Sequence, residues 1–146
     1  MSQVDPTVSE ANKAVVQQFL QELSQRQLDA VDTYVAADAV DHRIAPGTAP
    51  GIDGMKRELT ALWRGFPDAT MVIEQIVAEA DRVAVRTLVT GTHLGPYLGA
   101  RATGESVRWT AVDIYRLEGG KLVERWGMVD RLGMLQQMKV LNVLER

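Results

Sequence analysis

Apolar residues in the first half of the chain recur at helical spacing, and from Ala69 onward the period shortens to two. Ala11, Val15, Phe19, Leu20 and Leu23 form one stripe, with Ser9 placed to cap a helix that ends near Gln27. A second short helix is predicted over Leu28 to Ala37, then a brief extended piece from Ala39 to Ile44. The prolines and glycines that follow cannot continue regular structure. Met55, Leu59, Leu62, Trp63 and Phe66 mark one face of a third helix, stopped by Pro67.

Beyond Ala69 the segments ATMVIEQIVAEA, RVAVRTLVTGTHL, ESVRWTAVDIYRLE and KLVERWGMVD alternate and are rich in β-branched residues, so each reads as a strand. Helices first and a meander afterwards predict an α+β fold, with three N-terminal helices packed on one face of a curved antiparallel sheet. Gly119-Gly120 is a two-residue hairpin signal that sets Glu118 opposite Lys121. Carried along the strands, that register puts Asp113 opposite Trp126 and Trp109 opposite Asp130. Val107, Trp109, Ala111, Asp113 and Tyr115 then share a face with Leu122, Glu124, Trp126, Met128 and Asp130. On the preceding strand Val83, Val85, Thr87, Val89 and Gly91 lie on the same side as His93, whereas Arg86, Leu88 and Thr90 point outward.

Carboxylates among tryptophans on one face predict a pocket, because a buried carboxylate without a partner is costly or stays protonated, and one whose pKa is raised in this way suits proton transfer near neutrality. Asp130 also stands directly before the helical run RLGMLQQM, where it reads equally as an N-cap; the two roles are compatible. His93 and His42 have structural readings as well, the first closing a strand and the second orienting the DHRIAPG loop.

Composition narrows the classes. With 146 residues, 46% of them apolar, the chain has material for one core, and a single domain over residues 1–146 is expected. Sixteen basic and nineteen acidic residues leave a charge of -3 without any basic block, which argues against nucleic acid. There is no cysteine, and two separated histidines do not announce a metal site. No GxSxG elbow, phosphate loop or dinucleotide fingerprint occurs in context, so no cofactor is expected. The N-terminus lacks a signal-peptide pattern and no run is long enough to span a membrane, which makes the cytoplasm the expected location.

DAVDHRIAPG, GFPD, DRVAVRTLVTGTHLGPYLG and IYRLEGGKLVERWGMVDRLGMLQQM together resemble the SnoaL-like polyketide cyclases of the NTF2-like superfamily, over nearly the whole chain. The resemblance implies a cone-shaped α+β barrel with a deep pocket, a homodimer and no cofactor. In those cyclases a pocket aspartate on the last strand is acid and base for an intramolecular aldol closure. Its position falls near Trp126 and Gly127 here, with a neighbouring-strand histidine position near Asp113. The Asp-Arg-Asp set of the related epoxide hydrolases falls on Thr87, Val89 and Met128, so that mechanism does not carry over.

The resulting expectation is acid/base catalysis on a hydrophobic, carbonyl-bearing, polyketide-like substrate. Asp130 would remove the proton, His93 or His42 would support the enolate oxygen, and Asp113 would orient a histidine or hold water. Trp109, Trp126, Met128, Trp63 and Tyr115 would wall the pocket. The alternatives are a binding module without catalysis, or a hydroxylase or epoxide-hydrolase-like relative.

Overall fold

A computed structural model describes residues 6–43 and 50–141. The first helix, α1, runs Pro6–Ser24. It begins at proline, whose missing N–H costs nothing in a first turn, and not at Ser9. It stops before Gln27 because Arg26 turns left-handed at φ 66, and the amides of Arg26 and Gln27 fold back onto the carbonyls of Leu23 and Glu22. A non-glycine residue tolerates that conformation here because the Arg26 guanidinium donates to the Pro67 and Ala69 carbonyls and lies over the Trp63 ring.

The second helix, α2, is only Ala30–Tyr34, and strand β1 starts at once as Val35–Asp41. The predicted boundary lay later in the chain. β-Branched Val35 is instead drawn into pairing with Leu122, and Asp41 with Arg125. The predicted end of this strand, Ile44, lies outside the described residues. The third helix, α3, spans Gly51–Gly65, and the four later strands fall where the alternation placed them: β2 Thr70–Glu79, β3 Arg82–Thr92, β4 Ser106–Glu118 and β5 Lys121–Val129. A last helix, α4, covers Arg131–Gln137.

Strand order is β1-β5-β4-β3-β2. The sheet is open, with β1 and β2 as its edges, and the β1–β5 pair is parallel, so it is neither a closed barrel nor wholly antiparallel. Its inner face carries two apolar clusters. Val16, Phe19, Leu20 and Leu23 of α1 pack on Val83, Val85, Tyr115 and Leu122. At the other end Met134 and Met138 close over Phe66, Val89, Val107 and Trp109.

One irregularity changes the site. Glu118 does face Lys121, but Leu117 pairs with Leu122 and Arg116 with Glu124, leaving Val123 as an extra residue in β5. Beyond this bulge every partner is displaced by one. Asp113 faces Gly127, not Trp126, and Ala111 faces Val129. Trp109 is therefore not opposite Asp130, whose amide reaches the Thr110 carbonyl. Arg125, Gly127 and Val129 take the inner face, while Glu124, Trp126 and Met128 turn outward.

Candidate active site

Between the two clusters, the inner face carries Thr87 paired with Ala111, and Asp113 paired with Gly127. These short side chains interrupt the rows of large apolar residues, and a cavity opens beneath α1 and α3. Phe19, Leu23, Met55, Leu62, Trp109 and Tyr115 contribute to its walls. It encloses about 720 Å³ of space free of atoms, including open solvent at its mouth.

One side of the cavity is charged. Arg43 donates through Nη1 to both oxygens of Asp113, at 2.8 and 2.9 Å, and through Nη2 to Glu58 at 2.6 Å. Arg125 donates to Asp41 at 3.0 and 2.5 Å and to the second Glu58 oxygen at 3.3 Å. Asp113, Arg43, Glu58, Arg125 and Asp41 thus form a chain of alternating charge. Burial works against the charge of both guanidiniums, but Asp113 and Glu58 around Arg43, and Asp41 and Glu58 around Arg125, more than offset it and hold both above their ordinary range. They are fixed cations. The hydroxyl of Tyr115 is pushed up, by burial first and then by the Asp113 charge, so it stays protonated.

Gly127 makes this arrangement possible. A Cβ there would stand 2.0 Å from Asp113 Oδ1 and 3.0 Å from Arg43 Cδ. At the other end of the cavity Arg131, the first residue of α4, lines the wall. Its Nη1 is 3.5 Å from the Tyr97 hydroxyl, and among the described residues no carboxylate lies within ion-pair distance of it. Among the described residues no three His, Asp or Glu side chains converge as a metal set.

Of the side chains singled out from the sequence, Asp113, Trp109 and Tyr115 meet in the cavity. The others do not. Asp130 is exposed, outside the cavity lining, and its carboxylate accepts the Gly133 amide at 2.9 Å, so it caps α4. Trp126 and Met128 are on the outer face because of the bulge, and Met128 is 79% exposed. His42 is outside as well, stacked on Trp126 at 5.2 Å with Nε2 2.7 Å from Glu124. His93 is fully buried but does not line the cavity; it packs on Phe66 at 5.5 Å. Its Nδ1 accepts the Thr103 amide at 3.3 Å and lies 2.8 Å from the Thr103 hydroxyl. Trp63 borders a separate hollow beneath Arg26.

The sequence pattern does not single out Arg43, Glu58, Asp41 or Arg131 as site residues. Glu58 had a visible signal: it lies three residues after Met55 and four before Leu62, on the apolar stripe of α3. A regular hairpin register sets Arg125 on the outer face and the bulge turns it inward, while for Arg43 the sequence carries no signal.

The sequence model of the SnoaL-like polyketide cyclases matches residues 14–138, and the chain belongs to that family. Among solved structures, AclR of Streptomyces galilaeus, provisionally named a hydroxylase, is 28% identical, with 92% of this chain and 99% of that one aligned at TM-score 0.82. IdmH of Streptomyces antibioticus, provisionally named a polyketide cyclase, is 27% identical, with 88% and 99% aligned at TM-score 0.78. A SnoaL-like protein from Jannaschia sp. CCS1 shares the fold at TM-score 0.83 and 22% identity, with 97% and 100% aligned. No curated protein matches the chain.

Proposed function

We propose that the protein is a cofactor-independent acid/base enzyme acting on a hydrophobic, carbonyl-bearing, polyketide-like substrate, and that its reaction is an intramolecular aldol ring closure. The observation that carries this reading is Asp113, a carboxylate 4% exposed at the wall of an apolar cavity beside Trp109 and fixed by Arg43. Asp113, in place of the exposed Asp130, takes a proton from the carbon alpha to a carbonyl. The fixed cations beside it favour the negative charge that develops on the enolate oxygen. The enolate carbon attacks a second carbonyl of the same molecule, and Asp113 returns the proton to the new alkoxide. No atom is gained or lost.

The test is product analysis by mass spectrometry after incubation with open-chain aromatic poly-β-ketones. Ring closure leaves the mass unchanged, and Asp113→Asn is expected to lower turnover by about 10²-fold or more with the fold intact. An unimpaired Asp113→Asn enzyme would remove Asp113 as the base. Binding without any product would favour a ligand-binding module.

A second reading is favoured by Arg43 standing between Asp113 and Glu58. A carboxylate, arginine, carboxylate set of this kind can orient and deprotonate a water for epoxide opening. It would add the elements of water to the substrate, with the oxygen label traceable to solvent, whereas a hydroxylase would add a single oxygen atom.

We further take the chain to pair with a second copy through the outer sheet face. Val112 pairs with Met128 and Ile114 with Trp126, and Val112, Ile114 and Met128 are exposed side by side. Light scattering at micromolar concentration is expected to read twice the chain mass of 16.1 kDa.

A further inference from the structure

Three guanidiniums line the cavity, and two are held in ion pairs. Arg43 and Arg125 donate to Asp113, Glu58 and Asp41, with the buried Arg43 Nε alone left without an acceptor among the described residues of that cluster. Arg131 offers the same five donors, but its one hydrogen bond among the described residues is to the Tyr97 hydroxyl at 3.5 Å, the outer limit of such a contact. It is half-buried on a wall shared with Trp109, Tyr97 and Val129, and these side chains cannot answer its charge.

Nor does Arg131 sit there by accident of a floppy chain. Asp130 caps the helix that Arg131 begins, and Met134 and Met138 of that segment are fully buried in the cluster containing Phe66 and Trp109. The backbone that carries the guanidinium is therefore fixed. Along β5, Gly127 marks the level of Asp113, and Arg131 follows four residues later, at most about 13 Å of extended chain. Asp113 and Arg131, which has no carboxylate partner among the described residues, thus line one cavity from different levels of the sheet, with Trp109, Ala111 and Val129 on the wall they share.

We propose that Arg131 is a substrate-binding residue that selects a carboxylate, so that the substrate is an apolar, planar body with a carboxylate at the end remote from the reacting carbon. A guanidinium presents two parallel N–H groups that match the two oxygens of a carboxylate, and the aromatic side chains beside it accept the flat body. The proposal rests on the reading of this cavity as the substrate site, and goes beyond it in fixing the charge and polarity of the substrate.

The test is calorimetric titration of the full chain with cinnamate and with its neutral planar counterpart cinnamamide. The wild type is expected to bind cinnamate at least tenfold more tightly. Arg131→Gln is expected to bring the two within about threefold by weakening cinnamate alone, and Arg131→Lys, which keeps the charge but loses the fork, to fall between. Circular dichroism checks that each variant is folded. Equal affinity of the wild type for both ligands, or a preference that survives Arg131→Gln, overturns the carboxylate assignment while leaving the cavity as a substrate site. Failure of both ligands to bind at millimolar concentration overturns the assignment together with the reading on which it rests.

Discussion

Asp113 is tolerated in a nearly dry site because three conditions coincide: Arg43 supplies the opposite charge, Glu58 holds the other arm of the same guanidinium, and position 127 has no side chain. The third is the easiest to remove. In Gly127→Ala the methyl group would fall 2.0 Å from Asp113 Oδ1, so either the carboxylate swings off Arg43 or the strands part. Either outcome costs about 1–3 kcal/mol as overpacking, and more if the pair breaks with both charges still buried. Urea unfolding should show that loss. Glycine at position 133, which gives way to the Asp130 carboxylate in the same fashion, should report only on α4, because that contact is exposed. Stability loss at 127 no greater than at 133 would show that the Asp113–Arg43 pair is not what makes Gly127 necessary.

The elements themselves were legible in the sequence, since the change of period from helical to alternating occurs at Ala69 and strand β2 begins at Thr70. What decided the site was a single extra residue in β5. Hydrophobic alternation cannot reveal it, because Trp126 and Met128 look at least as fit for an interior as Arg125 and Gly127 do. Tertiary context chooses otherwise: Arg125 turned inward finds Asp41 from β1 and Glu58 from α3, two partners far away in sequence. The bulge makes an unusual prediction. Deleting Val123 removes the unpaired residue and leaves the faces of the strand beyond it unchanged, so the variant should remain folded at a cost of less than about 2 kcal/mol. Deleting Trp126 instead brings Met128 opposite Asp113 and turns Gly127 outward, which should abolish cooperative unfolding. Paired denaturation curves decide the matter. If the Val123 deletion were the more damaging of the two, the bulge would not be what sets the inward face.

At the scale of the whole molecule, the fold was recoverable because the pattern and the family resemblance agree. The cavity was recoverable in part because Trp109, Asp113 and Tyr115 alternate on one strand. The rest of the site is assembled from side chains that meet only in three dimensions, so no local pattern announces Arg43 or Arg131. The same assembly sets the limits of stability in pH. Glu124 is held below the usual carboxylate range, first by its hydrogen bond with His42 and then by Arg116. Its contribution is present above the ordinary carboxylate pKa and is lost as the pH falls through the depressed value. Tyr115 acts at the other end. Its raised pKa means that above about pH 10 the unfolded chain gives up the phenolic proton while the folded chain keeps it. The folded state then binds more protons, and stability falls as the pH rises. Tyr115→Phe keeps the ring that meets Phe19 edge to face at 6.3 Å and removes the titration. At pH 7 the variant should be less stable by about 1 kcal/mol for the hydroxyl's hydrogen bond with Arg125, but from about pH 10 upward its stability should fall less steeply than that of the wild type, so the two curves converge. Urea unfolding at neutral pH and at two alkaline values measures the convergence, and parallel curves would show that burial of the Tyr115 hydroxyl does not govern the alkaline limit.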